Sequence, residues 1–310
     1  MKQIHVEIVT PVHNRRELTL QFLKNLSRID KTGLKVHVIV VDDGSTDGTG
    51  EAIGREFPET EVLRGDGSWW FVGSANRAIE LALKRNADYV LLLVNDTIVD
   101  QRFLQFMVEC SEANPRSAIG SLLLLWDAPH RVFQVAPKFE VWNGGWRHLY
   151  CQTIWTMPKA AFEVDFIAGN CILFPTEIFR EIGLMDEKRF PQYADAEFTP
   201  RIKKRGWRLL IEPRARVFNM PNETTSVGKM TLGKAYQALW GDLTRQTNIR
   251  TKLMMNWIAA PTRFHAVAAS LIYVMRFFSK PFGFNKKWGT AEWTREKPLA
   301  EEYAAKPGAR

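Results

Sequence analysis

Acidic and amide side chains follow two apolar runs that lie about fifty residues apart in the chain. Asp42 and Asp43 close the first run, and Asn95 and Asp96 close the second. Both runs are typical of buried strands, and in open α/β sheets ligands bind outside the carboxyl ends of the strands. A carboxylate just past the end of such a strand usually faces a ligand. We therefore expect the two clusters to face one shared site.

The elements that would position these acids follow a regular pattern. Periodicity predicts strands over residues 6–12, 36–41, 61–63 and 89–94, and helices over residues 16–26, 49–57, 73–84 and 101–113. Strands that alternate with helices form a parallel sheet with right-handed connections. Thr46 and Asp47 carry side-chain oxygens that could cap the second helix. A further apolar run covers residues 165–174, and a helix over residues 176–182 would end at Gly183.

The composition predicts a globular protein of the reducing cytoplasm. The 310 residues are 45% hydrophobic, which is enough to fill the core of one large domain, with or without an appendage. The three cysteines Cys110, Cys151 and Cys171 are far apart, so neither a disulfide framework nor a zinc site is indicated. The first residues lack the charged-then-apolar pattern of a secretion signal. We expect no nucleic-acid partner.

The net charge of +8 is unevenly distributed along the chain. Residues 228–310 contain 14 lysines and arginines against 5 acidic residues, which gives +9 and leaves −1 for residues 1–227. This asymmetry predicts a boundary near residues 225–228. It also indicates an anionic partner for the C-terminal region rather than for the main domain.

Apolar residues at near-helical spacing predict a long helix at the start of that region: Tyr236, Leu239, Trp240, Leu243, Leu253, Met254 and Trp257. Pro261 begins another segment, in which residues 266–275 are apolar except for Ser270. This run is too short for a membrane span, which needs about 20 residues. Flanking Arg276, Lys280, Lys286 and Lys287 suit a helix that lies in an anionic membrane surface. The alternative is a helix buried against the main domain or a second subunit.

A dinucleotide-binding site is the first functional alternative, because the chain opens with a β-α-β pattern. The loop over residues 10–16 contains no glycine, whereas a Rossmann dehydrogenase requires Gly-x-Gly-x-x-Gly there. Gly65 and Gly67 are spaced glycines after a strand, but the third glycine is missing. The sequence therefore disfavours a dehydrogenase.

The order and spacing of seven segments resemble the nucleotide-sugar glycosyltransferases of family 2. The segments are residues 8–15, 40–47, 65–76, 91–97, 168–174, 183–187 and 190–201, and the resemblance covers about two thirds of the chain. Gly65-Asp66-Gly67 followed by Trp69 and Trp70 is most like bacterial rhamnosyltransferases of cell-surface polysaccharide assembly.

The resemblance implies an α/β GT-A nucleotide-diphospho-sugar transferase fold, a Rossmann-like mixed sheet flanked by helices, with a C-terminal helical extension. Residues 1–227 would form the catalytic domain, with a nucleotide-binding half to about residue 115 and an acceptor half from about residue 116. Residues 228–310 would form the basic extension.

The resemblance also implies which residues bind the donor. Asp42 or Asp43 would accept the imide N–H of the donor base, and Thr10 and Pro11 would flank that base. The other implied donor-binding residues are Gly67, Trp69, Trp70, Asn76 and Asn95. Asp42 and Asp43 are equally able to stabilise a turn, and paired tryptophans serve as core or lid packing as readily as sugar platforms.

The resemblance places a divalent metal, Mg²⁺ or Mn²⁺, at Asp96, where it would bridge the donor phosphates and act as a Lewis acid. Two positions depart from the family pattern. Val94 occupies a place where an acid or amide is usual, and Asn219 occupies a place where many relatives have a histidine. We therefore expect a weakly bound metal whose coordination is completed by water and phosphate. The alternative is that Asn95 and Asp96 only form a turn at the end of the strand.

Asp195 aligns with the family's catalytic base at a helix start, where Ala194 replaces the usual glutamate. An inverting transferase needs a base within hydrogen-bond reach of the acceptor hydroxyl. The helix dipole would stabilise the Asp195 anion, although capping alone would also explain an aspartate there. Glu197 is the second-choice acid, or a partner for Arg201.

These expectations combine into one function: an inverting glycosyltransferase that moves a sugar to a hydroxyl of a lipid-linked or growing cell-surface glycan. The donor would be a nucleoside-diphosphate sugar, with dTDP-rhamnose favoured and UDP- or GDP-sugars open. The protein would be cytoplasmic and peripheral on the inner face of the membrane. The sequence is compatible with a homo-oligomer and does not determine the oligomeric state. The alternatives are a catalytically silent nucleotide-sugar-binding scaffold and a nucleotidyltransferase, although the glycine-rich phosphate loop of the latter is missing.

Overall fold

Four β-α units form the first part of the fold. The computed structural model describes residues 3–135, 138–147, 152–220 and 248–279. The strands of these units are β1 (Ile4–Val12), β2 (Leu34–Asp43), β3 (Glu61–Gly65) and β4 (Tyr89–Leu93), and the helices are α1 (Arg16–Leu26), α2 (Thr49–Glu56), α3 (Trp70–Lys84) and α4 (Phe103–Ala113). The four strands are parallel, in the order β4-β1-β2-β3. This confirms the pattern predicted for residues 1–115.

The second half extends this sheet with strands of both directions. Its strands are β5 (Thr97–Val99), β6 (Ser117–Leu125), β7 (Val132–Gln134), β10 (Phe162–Glu163), β11 (Cys171–Pro175) and β12 (Arg208–Asn219), and a separate hairpin consists of β8 (Lys138–Glu140) and β9 (Gly145–Arg147). β11 lies antiparallel between β4 and β6, and β12 runs parallel to β6. The main sheet is therefore mixed, as the GT-A resemblance implied.

Helices cover both faces of the sheet, so its central strands are buried on both sides. Alternate residues of β4 point to opposite cores: Leu92 packs with α3 on one face, and Leu91 packs with α1 and α4 on the other. The first face also carries α5 (Thr176–Ile182) and α6 (Asp195–Lys204), whose aromatic side chains Phe179 and Phe198 stack at 5.5 Å. Because both faces of the sheet are buried, the ends of the central strands are the parts that stay exposed.

Two loop interactions differ from the sequence prediction. Asp47 accepts the N–H groups of Thr49 and Arg16, the first residues of α2 and α1, whereas Thr46 does not cap α2 and instead donates its N–H to Asn14. Helix α3 begins at Trp70 rather than at residue 73. The carboxylate of Asp43 explains this difference, because it accepts the Trp70 N–H and stabilises an earlier start.

Two C-terminal helices form a hairpin, α7 (Ile249–Ala259) and α8 (Arg263–Ser279). The hairpin packs against α6, β9 and the short 3₁₀ turn Val141–Asn143. The part of the predicted long helix over residues 236–247 lies outside the described residues. The prediction of one continuous helix is wrong at Asn248, which has an extended backbone and caps α7 by accepting the N–H of Thr251. No helix among the described ranges is long and apolar enough to cross a membrane.

Candidate active site

A cavity of about 310 Å³ opens where the carboxyl ends of β1 and β4 meet the start of α6. Pro11 of β1, Asn95 and Asp96 after β4, and Asp195 at the start of α6 line it together with Arg15. Four residues that the sequence assigned to one site thus share one cavity. Parallel strands explain this arrangement, because their carboxyl ends share one edge of the sheet.

Asp195 is held in a fixed orientation by backbone donors. Its Oδ2 accepts the N–H of Gly169 at 2.9 Å, and its Oδ1 accepts the N–H of Ala196 at 2.9 Å. Asp195 is partly buried at the wall of the cavity. This desolvation raises the pKa of Asp195 above its usual value, and the two N–H donors only partly offset the rise. The result is a positioned carboxylate that is a stronger base than a free aspartate.

Gly169 determines how closely the backbone approaches that carboxylate. A Cβ at this position would lie 3.1 Å from the Cβ of Asp195, and an alanine there would press on the Asp195 side chain. The glycine therefore belongs to the site, although its contribution is space and a hydrogen bond rather than a side chain.

Asp96 is the carboxylate of the cavity lining that follows β4. It is buried, and Arg15 Nη1 lies 3.8 Å from its Oδ2. Within the described ranges, no cluster of three or more His, Cys, Asp or Glu side chains could hold a metal ion. A single carboxylate fits a Mg²⁺-type cation whose remaining ligands are phosphate oxygens and water.

The amides near Asp96 are occupied by protein partners. Asn95 Nδ2 donates to Thr19 Oγ1 at 2.9 Å, so this side chain is turned towards α1. Asn219 Oδ1 accepts from Asn170 Nδ2 at 2.7 Å, and Asn219 Nδ2 donates to the Met220 carbonyl. Neither side chain therefore joins Asp96 as a second strong ligand for a metal ion.

Arg15 is a cavity residue that the sequence reasoning missed. Asn14 and Arg15 both adopt left-handed backbone conformations, with φ of 57° and 62°. Two hydrogen bonds hold this turn, from the Asn14 N–H to Ser45 and from the Thr46 N–H to Asn14 Oδ1. The turn places a half-exposed guanidinium beside Asp96, where it could bind phosphate. An asparagine-arginine pair directly after a strand was the available signal.

Asp42 and Asp43 are the last two residues of β2 and lie outside the cavity lining. Both oxygens of Asp43 accept backbone N–H groups, from Gly67 at 2.9 Å and Trp70 at 2.8 Å. Asp42 Oδ1 accepts the Ser45 N–H at 3.0 Å. Asp43 therefore fastens the β3–α3 loop to the end of β2, and Asp42 stabilises its own turn. Base recognition by either residue stays a prediction.

The predicted donor-binding residues of the β3–α3 region have different surroundings. The Trp69 ring packs on the core below the guanidinium of Arg77, which is 4.7 Å from the ring centroid. Trp70 is exposed and has a φ of 56°, which is uncommon for a bulky side chain. Gly67, with a φ of 89°, lies in an exposed turn. Asn76 is buried and exchanges hydrogen bonds with the backbone of Met185, so it holds that segment in place.

Two further predicted residues, Thr10 and Glu197, are buried outside the cavity lining. Thr10 is fully buried in β1. Glu197 pairs with Arg201 at 2.5 Å, and Arg201 also donates to the carbonyls of Ile182 and Leu184. Burial raises the pKa of Glu197, and the Arg201 charge lowers it in part. This is the structural role that the sequence had left open for Glu197.

Sequence comparison gives a match with a known family and two curated relatives. The model of "Glycosyl transferase family 2" matches residues 7–183. N-acetylglucosaminyl-diphospho-decaprenol L-rhamnosyltransferases from two strains of Mycobacterium tuberculosis are 24% identical over 226 residues, which cover 66% of this chain and 72% of theirs.

Solved structures show the same fold at low identity. Staphylococcus aureus TarS in complex with UDP-GlcNAc matches 91% of this chain and 74% of its own, with a TM-score of 0.54 and 17% identity. The mannosyltransferase PcManGT from Pyrobaculum calidifontis, in complex with GDP-Man and Mn²⁺, matches 87% of this chain and 74% of its own. The TM-score is 0.52 and the identity is 14%.

GalNAc-T7 with UDP, GalNAc and Mn²⁺ matches 71% of this chain but only 44% of its own, with a TM-score of 0.57 and 13% identity. These likenesses confirm the predicted GT-A fold. The family match covers more than half of the residues, and the chain therefore belongs to glycosyl transferase family 2.

Proposed function

We propose that this glycosyltransferase inverts the anomeric centre as it moves rhamnose from a nucleoside diphosphate to a hydroxyl of a lipid-linked glycan. The observation that carries the proposal is Asp195, a positioned carboxylate of raised pKa that shares one cavity with Asp96 and Arg15. The names of the Mycobacterium tuberculosis relatives support the sugar and the lipid-linked class of acceptor. dTDP-rhamnose is the favoured donor, with UDP- and GDP-sugars as alternatives.

Each charged group has one task in this reaction. Asp195 accepts the proton of the acceptor hydroxyl while that oxygen attacks the anomeric carbon on the face opposite the diphosphate. The bond between the anomeric carbon and the phosphate oxygen breaks, and the nucleoside diphosphate leaves with the bonding electrons. Arg15 would bind the phosphate oxygens on which negative charge accumulates.

The metal belongs to the same proposal. Asp96 would hold Mg²⁺ or Mn²⁺, which supplies Lewis acidity to the departing diphosphate. Mn²⁺ is present in two of the structures with the same fold, and both also contain a nucleotide or nucleotide sugar. We further propose that residues 1–227 contain the reaction site and that residues 228–310 form an extension beside it.

A donor panel tests the function directly. The protein is incubated with dTDP-rhamnose, UDP-sugars and GDP-sugars, each with Mg²⁺, with Mn²⁺ and with a chelator. Slow release of nucleoside diphosphate is measured by chromatography, and the thermal shift is measured in parallel. Release from one donor in the presence of metal supports the proposal and identifies the sugar. No hydrolysis and no thermal shift with any donor would favour a silent scaffold.

A further inference from the structure

One face of helix α8 exposes a row of large apolar side chains. Phe264, Val267, Leu271 and Met275 are between 50% and 79% exposed, and we call these four residues the outer stripe. Their spacing of three, four and four residues places them on one face of the helix. The stripe extends over about 16 Å at the usual rise per residue. An exposed apolar row of this length is uncommon on a soluble surface and marks a binding face.

The orientation of the outer stripe is fixed, because the opposite side of the hairpin is docked on the catalytic domain. Asn256 Nδ2 donates to the Gly144 carbonyl at 3.2 Å, and Arg276 Nη1 donates to the Trp142 carbonyl at 3.2 Å. A Cβ on Gly144 would lie 2.8 Å from the Cα of Tyr273, so the α8 backbone approaches the 3₁₀ turn closely. The stripe therefore faces outwards as a consequence of packing.

The same docking connects the hairpin to the proposed active site. Helix α7 packs along α6, and Lys204 at the end of α6 donates to the Ala260 carbonyl at 3.0 Å. Asp195 is the first residue of α6. A partner that binds the outer stripe would therefore also anchor α6, the helix that carries the proposed base.

Basic and aromatic side chains border the outer stripe. Residues 248–279 contain four lysines and arginines and no aspartate or glutamate. Trp257 of α7 is 55% exposed, with the guanidinium of Arg263 at 5.9 Å from its ring. Trp142, whose carbonyl binds Arg276, is 83% exposed. Tryptophan and arginine at the margin of an apolar face are typical of a membrane interface.

We propose that the outer stripe, with Trp257 and Trp142, binds the surface of an anionic lipid bilayer. The helix lies in the plane of the headgroups, its apolar side chains enter the acyl boundary and the arginines contact lipid phosphates. A second copy of the chain fits this face less well, because two acid-free basic hairpins would repel each other. Membrane binding is inferred from the hairpin. Only the presence of a lipid-linked acceptor at the same membrane surface rests on the proposed function.

Vesicle cosedimentation of the full chain tests the proposal. The vesicles are phosphatidylglycerol and phosphatidylcholine in equal parts, with pure phosphatidylcholine as the neutral comparison. We expect binding to the anionic vesicles that weakens at high salt. The double substitution Leu271→Gln with Met275→Gln should lower the partition coefficient roughly 10-fold, since each residue loses buried apolar area. Both positions are exposed, so the fold should tolerate them.

Matched variants separate charge from apolar contact. Arg250→Gln with Arg263→Gln should weaken binding to anionic vesicles by a factor of about 10 or more. Lys31→Gln with Lys35→Gln removes the same charge from exposed positions before and at the start of β2, and it should leave binding within about twofold of the unsubstituted chain. Trp155→Gln is the control for the outer-stripe variant, because it removes an exposed apolar side chain outside the hairpin, and it should leave vesicle binding unchanged.

Several results would overturn the membrane proposal. One is that the unsubstituted chain binds neither kind of vesicle, and another is that the outer-stripe variant binds as well as the unsubstituted chain. A third is a change of oligomeric mass in the outer-stripe variant with unchanged vesicle binding, which would assign the face to a second copy. Donor hydrolysis measured without vesicles should be equal in all variants. Failure of the membrane proposal is thereby distinguishable from failure of the proposed function.

Discussion

Replacement of Asp195 by asparagine removes the proton acceptor and keeps the shape of the side chain. A positioned general base contributes roughly 10² to 10⁴ to the rate, so we expect transfer to fall by that factor while the dissociation constant of the donor stays within about threefold. Donor binding should persist because Asp96 and Arg15 are unchanged.

The structure also predicts the effect of this substitution on stability. One amide oxygen can accept the N–H of Gly169 or of Ala196 but not both, and the unpaired donor costs about 1–3 kcal/mol. Removal of a desolvated charge acts in the opposite direction at neutral pH. The free energy of unfolding should therefore change by less than about 3 kcal/mol.

The pH dependence follows from the sign of the pKa shift. Desolvation raises the pKa of Asp195 above the ordinary 3.8, so the base is lost to protonation at a higher pH than for a free aspartate. In the folded state the raised pKa favours the protonated carboxyl. The stability that this contributes is fully present below pH 3.8 and is lost as the pH rises through the folded pKa. Asparagine at position 195 removes that pH dependence.

The assay measures product formation by chromatography and donor binding by calorimetry, for the unsubstituted chain and two variants. Asp165→Asn is the matched control, because Asp165 is an exposed aspartate that pairs with Lys203 at 2.9 Å. It should retain full turnover. If Asp195→Asn retained turnover within about threefold, or if the acidic limb of the pH profile persisted unchanged in it, the assignment of the base would be wrong.

Substitutions at three further positions test other parts of the cavity and its supports. Arg15→Gln should raise the KM for the donor about 10-fold, because a charge-assisted phosphate contact is lost. Arg15→Lys keeps the positive charge and should raise the KM less in the same steady-state assay. Asp96→Asn should raise the Mn²⁺ concentration needed for half-maximal donor hydrolysis at least 10-fold, and an unchanged metal titration would contradict the ligand assignment. Asp43→Asn should lower the free energy of unfolding by about 1–3 kcal/mol, because the N–H of Gly67 or Trp70 loses its acceptor. Thermal denaturation without donor checks this last result, and an unchanged Tm would mean that the carboxylate does not fasten the loop.

The sequence predicted the first half of the fold well because its signals are local. Strands β1 to β4 and helices α1 to α4 each show their own periodicity, and their alternation predicts parallel strands with right-handed connections. The insertion of β11 antiparallel between β4 and β6 has no such signal. Residues about 80 positions apart in sequence make that pairing, and strand pairing over such separations depends on tertiary packing.

The site was predicted in part for a similar reason. Asp96 and Asp195 were found because their residue types and neighbours match the chemistry of the family. The hydrogen bonds of Asp43 to Gly67 and Trp70 span 24 and 27 residues, and no pattern around Asp43 indicates that both of its oxygens are occupied. Arg15 was missed because its importance depends on two consecutive left-handed residues, which only the folded loop shows.

The charges in the cavity explain why a metal with one protein carboxylate is still expected to matter. Among the described residues that line the cavity, Arg15 is the cation and Asp96 and Asp195 are the anions. A nucleoside diphosphate would therefore enter a site whose carboxylates outnumber its guanidinium, and like charges oppose binding in a partly desolvated cavity. A divalent cation held by Asp96 would reverse this balance, and Arg15, whose Nη1 lies 3.8 Å from Asp96 Oδ2, would add a further positive charge. The weak ligand set is thus compatible with the proposed requirement for metal, because the cation would be held mainly by the substrate whose charge it neutralises.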